Sequence, residues 1–240
     1  MSDPPLKQVV GHTYEAGLRG KSPLADGHFE WKAGLFRTDS DDDIINLASF
    51  IQGRGFFQNV PGTRRQGAEL SAEYKSERWL VYAGYSYIDA TYRFNGTLAS
   101  PNNPSADADG NIFVTSGDRI PGIPQHQFKL GADYWITPQW KFGADLVAVG
   151  SSYYVGDDAN QNQKLPGYAV VNLHTSYDVT KNVTLFGVVN NLFDKHYALY
   201  GTYFEPDGTS KAGLGITLTD QRTEVPGAPF AIYGGVRVRL

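Results

Sequence analysis

The feature that most constrains this chain is a strict alternation of apolar and polar residues, repeated over long segments up to the last residue. Side chains of a strand point to opposite faces in turn, so a period of two predicts a strand with one apolar and one polar face. Between Gln127 and Ile136, Phe128, Leu130, Ala132, Tyr134 and Ile136 share one face, and Gln127, Lys129, Gly131 and Asp133 take the other. After Thr137-Pro138-Gln139 the pattern restarts, with Trp140, Phe142, Ala144, Leu146 and Ala148 against Lys141, Gly143 and Asp145. From Gly67 to Lys75, Ala68, Leu70, Ala72 and Tyr74 alternate with Glu69, Ser71, Glu73 and Lys75. The final stretch sets Phe230, Ile232, Gly234, Val236, Val238 and Leu240 against Tyr233, Arg237 and Arg239.

Nine strands are predicted, near 8–20, 28–39, 55–75, 79–94, 125–136, 140–153, 167–178, 183–197 and 227–240. Most exceed the roughly 5–6 residues usual in globular sheets and reach the roughly 9–11 that cross a bilayer obliquely. Their connections alternate in length. Lys21–Gly27, Ser76–Arg78, Thr137–Gln139 and Val179–Asn182 are short; Ser40–Arg54, Asn95–Pro124, Tyr154–Pro166 and Ala198–Pro226 are long. An antiparallel outer-membrane barrel has tight periplasmic turns at one end and long outer loops at the other. A soluble sandwich has no reason to sort its loops this way. Trp79, Trp135 and Trp140 lie beside the short turns, where an interfacial aromatic girdle belongs.

Composition removes other classes. The chain has no Cys, which excludes disulfides, thiolate metal sites and a cysteine nucleophile. The net charge of -4 comes without a basic cluster, so no nucleic-acid partner is expected. No apolar run is long enough for a transmembrane helix, a test that does not bear on strands. The start, Met1-Ser2-Asp3-Pro4-Pro5, does not read as a signal peptide. His12, His28, His126, His174 and His196 fall on five separate strands or strand ends, without the spacing of a zinc motif. His174 and Ser176 share a strand face as a conceivable hydrolytic pair, but the polar lumen of a barrel explains them more simply. Asp39, Asp41, Asp42 and Asp43, and Asp107-Ala108-Asp109-Gly110-Asn111, are acidic groups on expected loops. Neither completes a calcium-loop spacing, so both read as solvated charge. No residue pattern asks for a cofactor or a resident metal.

Four segments, in order, resemble TonB-dependent outer-membrane receptors of the ferric-siderophore type. Tyr14-Glu15-Ala16-Gly17-Leu18-Arg19 is similar to a mid-barrel strand of that family, and Arg65-Gln66-Gly67-Ala68-Glu69 to a second. Ile120-Pro121-Gly122-Ile123-Pro124-Gln125-His126 is similar to its entry to a strand, and Asn190-Asn191-Leu192-Phe193-Asp194-Lys195-His196-Tyr197 to a segment near its C-terminus. These pieces also have structural readings. Glu15, Arg19, Glu69 and Glu73 should face the lumen, Gly17 and Gly67 should admit bulky neighbours, and Asn191 and Asp194 should bond local backbone. The resemblance implies an all-β fold, residues 1–240 being the C-terminal portion of an antiparallel transmembrane β-barrel with no plug domain. It implies a place in the outer membrane among its lipids, a ferric siderophore or related chelate as cargo, and the TonB system as energising partner. Full members have 22 strands, so these nine, an odd number, are not expected to close a barrel. The family usually ends on an aromatic residue, and here Leu240 stands last.

Ligand contacts are expected on the long loops and upper lumen, where aromatic rings offer stacking surfaces and Arg suits anionic chelates. The candidates are Arg54, Phe56, Phe57, Tyr153, Tyr154, Tyr200, Tyr203, Phe204 and Arg222. Two rival readings stand beside the receptor: a self-contained passive channel, and a soluble β-sandwich or lectin-like binder that would need no detergent.

Overall fold

The structure, a computed structural model, describes residues 4–49, 54–204 and 220–239. All regular structure among them is strand. In chain order the strands are β1 (Val10–Leu24), β2 (Gly27–Ala48), β3 (Gly55–Lys75), β4 (Trp79–Tyr92), β5 (Gly96–Ala99), β6 (Asn111–Val114), β7 (His126–Thr137), β8 (Trp140–Val149), β9 (Tyr168–Asp178), β10 (Val183–Asn190), β11 (Ala198–Tyr203), β12 (Arg222–Pro226) and β13 (Ala231–Val238). One nine-stranded antiparallel sheet runs in the order β1-β2-β3-β4-β7-β8-β9-β10-β13, and β5-β6 and β11-β12 form two small hairpins within long loops. The nine predicted strands are the nine of the large sheet.

Boundaries depart from the reading in two directions. β2 continues to Ala48 and stays paired to β3 as far as Ala48↔Gly55, so most of the expected Ser40–Arg54 loop is strand. The strands expected at 140–153 and 183–197 stop at Val149 and Asn190 instead. Asn191 (φ 49°) leaves the extended region there.

Three of the four short turns share a device. Ser76 Oγ accepts from the N–H of Arg78 and Trp79, Thr137 Oγ1 from Gln139 and Trp140, and Thr180 Oγ1 from Asn182 and Val183. A hydroxyl that satisfies the turn's own N–H groups reverses the chain in few residues.

Register assigns the faces, because directly opposed residues of an antiparallel pair point the same way. One continuous rung reads Leu18, Ala33, Leu70, Tyr85, Phe128 and Ala148 across β1 to β8. The rung through Trp31, Ala72, Ala83, Leu130, Leu146 and Val171 is equally apolar. This is the outward face, and with no second layer against it Leu18 stays 73% and Leu35 64% exposed. Outward Trp31, Trp79 and Trp140 lie toward the short-turn end, with Trp79 against Tyr134 at 4.5 Å. Trp135 departs from the expected girdle: it pairs with Lys141 on the opposite face, and the Lys141 ammonium stands 5.7 Å from its ring. Toward the long-loop end the rung Leu35, Ala68, Tyr87 gives way to Arg37, Gln66, Asp89. That change marks the edge of the apolar band. Val236 and Val238 lie outward with Leu185 and Val183, and Arg237 lies inward opposite Thr184. Leu240 is outside the described residues.

β1 and β13 are the two edges of the sheet, and no pairing joins them among the described residues. The sheet is open, as the odd strand count led us to expect.

Candidate functional site: lumen wall and loop cleft

The inward face is polar. Glu15, Arg19, Glu69 and Glu73 all lie on it, as their parity predicts. Its centre is a charged cluster across β7, β8 and β9. Asp133 is 9% exposed and bonds Lys141 Nζ (3.0 Å) and His174 Nε2 (2.6 Å), while His174 Nδ1 stands 3.1 Å from Asp145. Both imidazole nitrogens therefore meet carboxylates, which leaves neither to activate Ser176. Gly143 makes the cluster possible: a Cβ there would lie 2.2 Å from Asp133 Oδ1 and 2.3 Å from His174 Nε2. Next to it the Tyr82 ring covers the bare backbone of Gly131 and its hydroxyl donates to Asp145. Nearer β1, Gly17, Gly34 and Gly84 floor a shallow hollow flanked by Arg19, Lys32 and Lys129 with Glu69 as its acid.

At the long-loop end the chain folds back into a small core. Leu47, Val60, Tyr92, Leu98, Ile112, Val114 and Ala159 bury one another, joining the tops of β2, β3 and β4 to the β5-β6 hairpin and the 154–166 loop. A second cluster, Tyr154, Leu165 and Tyr203, ties that loop to β11. The acidic run Asp39–Asp43 is on β2 here, not on a loop. Asp39 meets Arg64 (2.6 Å) and Arg37 (2.8 Å), and Asp43 meets Arg65 (3.0 Å), which removes both from the solvated charge expected of them. Asp107 accepts from the N–H of Asp109 (3.0 Å) and Asn111 (2.9 Å), so it shapes the turn before β6. Among the described residues no group of three or more carboxylates and imidazoles could hold a metal.

A cleft of about 510 Å³ opens among these loops, within the range usual for small-molecule sites. Its wall includes Arg54 from the β2-β3 end, Pro101 and Asn102 from the β5-β6 segment, Asp158 from the 154–166 loop, and Tyr200, Tyr203, Phe204 and Gln221 around β11-β12. Four of the nine predicted ligand residues, Arg54, Tyr200, Tyr203 and Phe204, thus come together. The other five lie elsewhere. Phe56 packs against the small core, and Phe57 is 45% exposed outside the cleft wall. Tyr153 stands between the cations of Arg119 (5.7 Å) and Lys164 (4.8 Å). Tyr154 is 1% exposed behind the wall, with its hydroxyl donating to Glu224. Arg222 lines a neighbouring depression, bonded through Nε to both oxygens of Asp220 (2.9 and 3.0 Å). That guanidinium holds the Asp220 carboxyl down at about 2.

Sequence reasoning missed Asp158. It is 7% exposed, takes the hydroxyl hydrogen of buried Tyr92, and burial pushes its carboxyl up to about 6. Its signal was faint: two adjacent acids, Asp157-Asp158, just before the amide run Asn160-Gln161-Asn162-Gln163.

The model for the β-barrel of TonB-dependent receptor-like proteins matches residues 1–192. The chain belongs to this family. It is 28% identical over 205 residues to the probable TonB-dependent siderophore receptor PiuA of Acinetobacter baumannii, a match covering 84% of this chain and 26% of the relative. Against the metal-pseudopaline receptor CntO of Pseudomonas aeruginosa it is 30% identical over 192 residues, covering 78% of this chain and 24% of that one. The crystal structure of the siderophore receptor PiuA from Acinetobacter baumannii has the same fold, with a TM-score of 0.69 at 22% identity over 95% of this chain and 28% of that chain. The TonB-dependent receptor chain spans about a quarter of the length of the curated relatives it matches. The family's barrels lie in the bacterial outer membrane, and the apolar outward band of this chain is the surface that meets lipid.

Proposed function

We propose that this chain is wall and outer loops of a receptor that imports ferric siderophores or similar iron chelates, energised by the TonB system. The observation that carries the reading is the cleft at the long-loop end. It brings Arg54, Tyr200 and Phe204 to the wall of a space of about 510 Å³, with Tyr203 packed on Tyr154 beneath them, residue types that suit an anionic chelate with flat ligating groups. Relatives named as siderophore and metal-pseudopaline receptors support the cargo class. The chain's contribution is capture and confinement; the cluster at His174 is read as structural, and no covalent step is assigned to it. We further take residues 1–240 as the C-terminal portion of the barrel. The open sheet supports its being a portion, because unpaired N–H and C=O groups along β1 and β13 would cost several kcal/mol each in hydrocarbon and call for further strands.

Uptake of radioiron-labelled chelates by cells expressing the whole receptor tests the proposal. Saturable uptake that disappears when the TonB system is deleted is expected. Uptake that rises linearly with concentration and ignores TonB would replace the receptor with the passive channel, which the family match does not favour. In the same assay Arg54→Gln and Phe204→Ala should each weaken chelate binding by about tenfold, the size of an ordinary anchor loss, whereas Tyr153→Phe should leave it unchanged.

A further inference from the structure

We propose that Asp158 is a proton-operated latch: protonated, it stays buried and keeps the 154–166 loop against the top of β4, and ionised, it is drawn toward water and loosens that wall of the cleft.

The argument begins with two neighbouring carboxyls in one buried place. Asp157 is 0% and Asp158 7% exposed. Asp157 has a built anion site. It accepts from Asn103 Nδ2 (3.3 Å), Asn162 Nδ2 (3.0 Å) and the backbone N–H of Gln161 (3.1 Å) and Asn162 (3.0 Å). Asp158 has the Tyr92 hydroxyl as its side-chain donor. No ion pair among the described residues includes either carboxyl. The basic group on the β3 side, Arg65, is already held by Asp43 of β2 at 3.0 Å. From the β11 side Tyr203 faces Asp157 and brings no positive charge. Two neighbouring carboxyls shut away from water do not both ionise readily, and the one with fewer donors takes the proton. Asp158 is the group that titrates, consistent with its carboxyl being pushed up to about 6 by burial, with Asp157 adding to the rise.

The position of Asp158 turns titration into motion. The next residue, Ala159, is buried in the small core with Tyr92, Leu98 and Val114. Asn160 clasps the backbone of Arg119, its Oδ1 accepting from the N–H (2.7 Å) and its Nδ2 donating to the carbonyl (2.9 Å). On the other side Val155 bridges to Thr202 of β11, and Asp158 itself borders the cleft. A loop released at Asp158 therefore frees the cleft wall while β2, β3 and β4 stay paired.

The sign follows from linkage. The carboxyl is harder to ionise in the fastened loop than in water, so fastening is complete in acid. It weakens as pH rises from about 4 to about 6, by up to about tenfold per pH unit, and is lost above that. This latch stands on loop geometry and does not need the cleft to be the ligand site.

Hydrogen exchange of the intact receptor in detergent, without ligand and corrected for intrinsic rates, tests it on peptides covering 155–165 and 96–120. The wild type should be about tenfold better protected there at pH 5.0 than at pH 7.5. Asp158→Asn should be protected equally at both, and Asp157→Asn should retain a pH dependence. If Asp158→Asn fails to assemble, Tyr92→Phe serves instead: it removes the donor that favours the anion, so the transition should move to higher pH. Equal wild-type protection at the two pH values, or an Asp158→Asn variant with the wild-type dependence, would overturn the proposal.

Discussion

Leu130→Arg against Lys129→Leu is the sharpest test of the face assignment, since the two positions are neighbours on β7 and differ only in the side they present. Leu130 lies outward between Ala83 and Leu146. On β4 the outward row runs from Trp79 to Tyr87, about 27 Å along a strand at ~3.4 Å per residue, or about 20 Å of depth at a tilt near 40°. Ala83 is the midpoint of that row, so its partner Leu130 sits near mid-bilayer. Arg at mid-depth on a lipid face costs about 2–4 kcal/mol, which lowers the folding equilibrium constant by roughly 30- to 1,000-fold. Lys129 lies inward opposite Gly84 and Val147, where a leucine displaces no lipid contact. Folding of the intact receptor into phospholipid vesicles, followed by the electrophoretic shift of heat-modifiable barrels over a urea series, reads both variants. Leu130→Arg should move the midpoint down strongly and Lys129→Leu by under about 1 kcal/mol. Equal losses, or the larger loss at Lys129, would refute the inside-out reading of every strand in register with β7.

Two other substitutions probe the described contacts. Asn191→Ala should destabilise by about 2–4 kcal/mol in the same assay. It removes side-chain bonds to the N–H and carbonyl of Lys195 and the carbonyl of Ala228, and leaves Ala at φ 49°; Asn191→Gly should cost less, because the strain goes. His174→Ala should cost about 1–3 kcal/mol by leaving Asp133 with Lys141 alone and Asp145 with Tyr82 alone, and a double change with Asp133→Ala should cost less than the sum of the two singles.

What the sequence disclosed follows from how far each inference had to reach. Which way Leu130 or Glu69 points depends on parity within one strand, so alternation alone sufficed, and the nine strands of the sheet followed from it. Trp135 shows that parity outranks nearness to a turn in setting which face a residue takes. Parity with Lys129 and Asp133 already put it inside, where Lys141 caps its ring. The run Asp39–Asp43 looked like loop because acids rarely cluster in strands, but the reason it is tolerated lies on β3, in Arg64 and Arg65. A scan of β2 by itself shows Arg37 beside Asp39 but neither of these two partners. The nine ligand candidates were chosen by residue type and loop position, and type does not distinguish Tyr200, 44% exposed beside the cleft, from Tyr154, 1% exposed behind it. Their difference rests on Leu165, Tyr203 and Glu224, up to 70 positions away. Asp158 is the extreme case. Its environment is assembled from Tyr92 on β4, the small core and the donors that Asp157 has already taken. An aperiodic loop carries no pattern that announces burial, and a carboxyl becomes a switch only once several distant segments have together excluded water from it.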